Sequence, residues 1–290
     1  MNIFRLVLFS MKRIKQIMMR IIYKKTLWAT VVAISFLWVL GCVKYPQKDW
    51  LMEVTDKKAG GVGWNLKYDY RGRLVQYGDT PISYRSNRVD IGSIQACGSD
   101  GKMYSATYRL SGEETISCES YYEQMIDSVQ TEICKFTDYE WKEDTLVMTS
   151  VYRRARDGEW LRNTTAWYLY DDENRLVEVF TSCSDDEHED ISCHSYYCYE
   201  KNIRNRVNLN MQAYIVDRED WDTFFFFLLN MSGREKTQAL PNSIRHCVRH
   251  GKATHMSECL YRLNDYCPVF MEIITDEVHV KARYEFKYYN

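Results

Sequence analysis

Polar turn signals punctuate this chain about every fifteen residues, a spacing that restricts it to long antiparallel strands joined by tight turns. The clearest are "YDYRGRLV", residues 68–75, and "YDDENRLV", residues 170–177, one Tyr-Asp-x-x-(Gly or Asn)-Arg-Leu-Val pattern repeated 102 residues apart. In each copy an aromatic strand arrives at Tyr68 or Tyr170 and Asp69 or Asp171 opens the turn. Gly72 or Asn174 then takes the left-handed position that a β-branched residue resists. Similar turns fall at 85–87, 98–101, 111–113, 127–128, 142–144, 156–158, 185–190 and 201–205. A strand of about ten residues plus a turn accounts for the interval. The expected fold class is all-β: a long-stranded antiparallel β-meander, curved or closed into a barrel-like sheet, with one short helix insertion.

The last strand shows the pattern most plainly. Val278, Val280, Ala282, Tyr284, Phe286 and Tyr288 alternate with His279, Lys281, Arg283, Glu285 and Lys287, one face buried and the other wet. Between residues 122 and 133 a helical period competes, since Tyr122, Met125, Ile126, Val129 and Ile133 also fit 3.6 residues per turn, but a helix there would break the regular spacing of turns. The insertion is "DREDWDTFFFFLLNMSG". Asp217 can cap a helix near 218–231, acidic residues fill its first turn and Gly233 can close it. Four consecutive phenylalanines do not alternate, so they suit a buried helix or plug. The linker "REKTQALPNS" leads to three or four shorter strands.

Residues 1–41 read as an export signal: seven basic residues, no acidic one, then the apolar run 26–40, which is short for a membrane span. Without those seven, 31 basic residues stand against 40 acidic ones, a net charge near −9 that disfavours nucleic acid as a partner. Residues 42–60, with Pro46, Gly60 and Gly61, read as a flexible tether, and 61–290 as one β-domain. Nine cysteines remain beyond Cys42, an odd number, so at least one thiol is left over if the others pair.

Two resemblances follow from these residues. "VLGC", Val39 to Cys42, resembles the lipobox of bacterial lipoproteins, which implies lipidation of Cys42 and attachment to a membrane. The two Tyr-Asp turns resemble the YD repeats of RHS-type bacterial proteins. The wider plan of lipobox, Tyr-rich meander, "NLN" at 208–210, apolar helix, "LPNSI" and final aromatic strand resembles uncharacterised lipoproteins of Bacteroides-type bacteria described as having a porin-like fold. That resemblance implies an outer-membrane lipoprotein and supplies no catalytic residue. Surface-exported families of this kind tend to carry an acidic run after the cysteine. Here Lys44 and Lys48 stand with only Asp49 nearby, which points to the periplasmic face.

Sequence chemistry is sparse. There is no Gly-x-Ser-x-Gly, His-Glu-x-x-His, phosphate loop or Cys-x-x-Cys. "HCVRHGKATHMSEC" offers His246, His250 and His255 with Cys247 and Cys259 as ligands of the kind zinc takes, in a spacing no known finger uses. Cys247 and Cys259 are equidistant from residue 253, so a hairpin centred there would join them in a cross-strand disulfide, which an oxidising compartment permits. "CSDDEHEDISCH" gathers Asp185, Asp186, Glu187, Glu189 and Asp190, but lacks the glycine a calcium loop turns on and reads better as a solvated hairpin tip. Cys183 and Cys193, symmetric about His188, are a second disulfide candidate. The 23 tyrosines and 8 tryptophans could line a binding face for sugars or protein, although strand propensity explains most of them. The expected function is a lipid-anchored envelope protein, non-enzymatic, that binds or scaffolds a protein or glycan partner without a cofactor. The alternative is an envelope hydrolase using the His/Cys or acidic cluster as a metal site.

Overall fold

A computed structural model describes residues 50–95, 101–126, 129–185, 191–200, 203–204, 206–216, 220–234, 239–248, 254–264, 267–275 and 279–289. Residues 1–41, read above as an export signal, lie outside the described residues, as do Cys42 and His250. The chain divides into two units, the turn Asp69–Arg73 with residues 1–45, and residues 46–68 with 74–290.

In the second unit the strands follow one another in chain order: β1 (Leu51–Asp56), β2 (Val62–Tyr68), β3 (Leu74–Tyr77), β4 (Thr80–Arg85), β5 (Arg88–Ile91), β6 (Ile94–Gln95), β7 (Gly101–Ser111), β8 (Glu114–Ile126), β9 (Val129–Lys142), β10 (Thr145–Arg154), β11 (Trp160–Tyr170), β12 (Leu176–Asp185) and β13 (Ile191–Cys198). An insertion then leaves the wall. It holds β14 (Ile203–Arg204), a 3-10 turn (Met211–Tyr214), helix α1 (Trp221–Leu228) and β15 (Ala239–Leu240). The wall resumes with β16 (Ser243–Val248), β17 (Thr254–Asn264), β18 (Cys267–Thr275) and β19 (His279–Tyr288). Each wall strand pairs antiparallel with its neighbours, β13 pairs with β16 across the insertion, and β1 pairs with both β2 and β19, which closes the ring. Strands β5 and β6 occupy successive stretches of one edge of β7, so the closed barrel has sixteen positions.

Turn chemistry explains why the chain reverses where it does. Asp171 Oδ1 accepts from the backbone N–H groups of Glu173 and Arg175, both at 2.9 Å, while its Oδ2 holds the Arg175 guanidinium. Asn174 sits at φ 55°. Described by itself, the Asp69–Arg73 turn repeats this atom for atom: Asp69 Oδ1 takes Arg71 N and Arg73 N at 2.9 Å, Oδ2 takes the Arg73 guanidinium, and Gly72 sits at φ 80°. The repeated motif is thus a self-sufficient five-residue turn, and aspartate, arginine and a left-handed residue are each needed to make it.

The stretch 122–133 is the β8–β9 hairpin and not a helix, with Tyr122 opposite Ile133. The sheet also starts earlier than expected. Residues 51–56, placed in the flexible tether by sequence, form β1, with Leu51 and Val54 fully buried and Val54 opposite Phe286.

Helix α1 is shorter than the expected 218–231, running from Trp221 to Leu228. It lies inside the barrel, which is why its phenylalanines need not alternate: a helix apolar all round must be surrounded. Phe226 stacks on Tyr139 of β9 (4.5 Å, 7°), Phe227 meets Tyr168 of β11 edge-on at 5.1 Å, and Phe224 and Phe225 meet Tyr77 of β3 at 5.5 and 5.8 Å. Tyr214, from the 3-10 turn, packs on Tyr284 and Phe286 of β19. The plug therefore touches walls from several sides of the ring. Asn208, in the "NLN" segment, accepts the N–H of Leu51, and Asn210 caps the 3-10 turn through Gln212 N, at 3.0 Å each.

Candidate functional site

Along β9 the inward positions are Ile133, Lys135, Thr137, Tyr139 and Trp141, so one lysine faces a wall of otherwise apolar or hydroxylated side chains. Lys135 is 3% exposed, and a buried ammonium requires partners. The start of the plug helix supplies two. Lys135 Nζ lies 2.7 Å from Asp220 Oδ2 and 3.1 Å from Asp222 Oδ1. Asp220 occupies the helix N-cap with extended backbone, yet makes no side-chain cap bond, because its carboxylate is turned to Lys135 and to the Tyr152 hydroxyl at 2.6 Å. Asp222 is held by Ser120 Oγ at 3.3 Å, and its backbone receives the Tyr108 hydroxyl and donates to Tyr122. The Arg162 guanidinium covers the Tyr152 ring at 4.3 Å.

Burial alone would push the Asp220 carboxyl upward, but the Lys135 charge and the hydrogen bonds from Lys135 and Tyr152 overcome it and hold Asp220 below the usual carboxylate range. Burial would likewise lower Lys135, and the charges of Asp220 and Asp222 reverse this and raise it well above the usual lysine value. The pair is ionised at neutral pH. One atom is left over: Asp220 Oδ1 is buried and, among the described residues, accepts no hydrogen bond.

Asp220 lines a partly enclosed cavity of about 370 Å³ between the plug and the inner faces of β10, β11, β12, β13 and β16. Ser150, Thr164, Thr181, Ser195 and Thr223 bring hydroxyls to it, and Ser195 Oγ lies 2.9 Å from His246 Nδ1. A volume at the low end of the range of small-molecule sites, lined by a few convergent polar groups, has the form of a binding pocket. Sequence reasoning missed Lys135, Asp220, Asp222 and Tyr152. The signal was present in β9, where a lysine falls in the inward register, and in the acidic "REDWD" at the head of the Phe-rich helix.

The sequence candidates fare differently. The β16–β17 ladder sets His246 opposite His255 and Cys247 opposite Thr254, while Cys259 N bonds Asn242 O. Cys247 and Cys259 are therefore not partners: Thr254 and Cys259 stand five residues apart on β17, roughly 17 Å at 3.4 Å per residue. Cys183 faces Ile191 and Cys193 faces Thr181, two residues out of register. Among the described residues there is no disulfide, and no three His, Cys, Asp or Glu side chains converge as a metal site requires. His246 and His255 meet without His250, which lies outside the described residues, as do residues 186–190 of the acidic stretch. On the outer wall, Trp167, Phe180 and His194 stack across β11, β12 and β13 with centroids 4.8 and 4.4 Å apart, and Tyr196 continues the row. Cross-strand pairing brings these rings together.

The class of protein defined so far is a sixteen-position antiparallel barrel closed by its first and last strands, plugged from within by a Phe-rich helix. A family model described only as "-like" matches residues 52–286. A porin-like protein from Bacteroides vulgatus is 32% identical over 83% of this chain and 99% of its own, with a TM-score of 0.77. The chain belongs to the family of that protein. A second porin-like protein, from Bacteroides uniformis, is 11% identical over 84% of this chain and 98% of its own, with a TM-score of 0.50, and shares the fold. Among curated proteins none matches the chain.

Proposed function

We propose that this chain is a lipid-anchored protein of the cell envelope, held through Cys42 at the periplasmic face of the outer membrane, where its barrel stands in water and binds a protein or glycan partner without catalysing a reaction. The observation that carries this reading is the polarity of the wall. Outward positions hold Lys67, Arg109, Asp138, Glu140, Arg153, Glu258, Lys281, Arg283 and Lys287, all exposed. Two of them pair across strands, Lys287 with Glu53 at 2.8 Å and Arg283 with Glu272. A lipid-facing wall tolerates such residues poorly, at about 2–4 kcal/mol for each lysine or arginine near the bilayer midplane. The plug packs against several sides of the wall through its phenylalanines and leaves a confined cavity beside it, which is not the form of an open water-filled channel. The likeness to proteins described as porin-like supports an outer-membrane reading, and lipidation at the end of "VLGC" would supply the anchor, since more than one acyl chain gives stable attachment.

The test pairs fractionation with a bilayer assay. Wild type is expected in the membrane fraction and Cys42→Ala in the soluble one, and the chain from residue 43 onward is expected neither to float with liposomes nor to release a trapped dye. Insertion or dye release by that chain would replace this reading with a membrane-spanning barrel.

A further inference from the structure

We infer that the cavity beside the plug binds a small, neutral, polyhydroxylated molecule of about monosaccharide size, which donates a hydroxyl to Asp220 Oδ1. This rests on the reading of the barrel as a binding module and gives that module a ligand class. Asp220 is 4% exposed, it lines the cavity, and its Oδ1 accepts no hydrogen bond among the described residues while Oδ2 is fully engaged by Lys135 and Tyr152. A charged oxygen in that position is a strong acceptor for an O–H or N–H donor.

The surrounding charge selects among donors. Lys135 and Arg162 stand against Asp220 and Asp222, so the formal charges sum to zero around the site. A cationic ligand would approach a carboxylate whose other oxygen, Oδ2, already holds Lys135 Nζ at 2.7 Å, and an anionic one would meet Asp220 itself. A neutral molecule meets neither obstacle. The wall hydroxyls of Thr164 and Thr181 can donate and accept, and those of Ser150 and Ser195 keep part of that capacity beside their bonds to Thr137 and His246, which matches the dual character of a sugar hydroxyl and matches an amine or a carboxylate less well. At about 370 Å³ the cavity admits one small ring or polyol and not a chain of them.

The experiment is titration calorimetry and ligand-observed NMR on the mature chain with D-galactose, D-mannose and mannitol as neutral probes, glucosamine as the cation and glucuronate as the anion. At least one neutral probe is expected to saturate the protein and to bind better than its charged counterparts. Asp220→Asn is expected to weaken it about tenfold or more, as loss of a charged hydrogen bond does. Because Asp220→Asn also disturbs Lys135, a second variant, Ala166→Leu, fills the cavity from β11 without removing a polar group, and is expected to weaken binding as much while keeping the wild-type circular dichroism spectrum. Equal binding by wild type and Ala166→Leu would place the sugar elsewhere and overturn the inference. Preference for a charged probe would also overturn it, as would no binding of any probe. None of these three results touches the anchored, water-facing barrel, which fractionation and dye release decide separately.

Discussion

At the scale of single residues, the buried Lys135–Asp220–Asp222 cluster is where stability is most sensitive to one substitution. Lys135→Met leaves two carboxylates facing each other away from water, and breaking a buried pair in this way is expected to cost about 3–5 kcal/mol, read from the midpoint of denaturant unfolding. The same cluster sets an acid limit. Asp220 titrates lower in the folded protein than in the unfolded chain, where an aspartate titrates near ~3.9, so its contribution is present above that pH and is lost as pH falls through the lower folded value. Stability of the wild type should therefore fall on acidification below about pH 4, and an Asp220→Asn variant should show a shallower fall over that window. Cys259 gives a third check. Burial pushes its thiol up to about 12, so in the native protein it should resist iodoacetamide at pH 8 and react fully once urea is added without reductant. Protection that persists in urea would reveal a disulfide to this cysteine.

At the scale of elements, the turns were legible because each is written locally. Asp171 reaches only four residues ahead, to Arg175, and needs nothing from the rest of the chain. The buried helix was legible from composition, since four phenylalanines in a row suit neither an alternating strand nor an exposed helix. Its ends were not, because Asp220 abandons the cap for a lysine 85 residues away. Hairpin register was also beyond reach between β16 and β17. Two cysteines suggested a centre at residue 253, but the ladder pairs Ser243 with Glu258 and so centres between 250 and 251, a shift by an odd number of residues that sends Cys247 and Cys259 to opposite faces. The cavity was least legible of all, since its lining comes from five strands and the plug. For the plug itself, Phe226→Ala removes the ring stacked on Tyr139 and is expected to cost about 3–5 kcal/mol, with a lowered melting temperature and retained β-sheet circular dichroism.

At the scale of the whole molecule, the closing seam joins the first strand to the last: Val54 pairs with Phe286, and Tyr289 N bonds Trp50 O. Deleting residues 279–290 would bare the edges of β1 and β18 together, and the truncated chain is expected to aggregate at concentrations where the full chain stays monodisperse by light scattering. The seam also has a meaning in time. Its two edges are separated by more than 220 residues of sequence, the largest loop this chain can close, and a contact of that separation is slow to form. During synthesis the hairpins can assemble one by one, yet the ring has no partner for β1 other than β2 until β19 has been delivered. Until that moment the chain is a strip and not a cylinder, and the last ten residues of sheet decide when its shape becomes final.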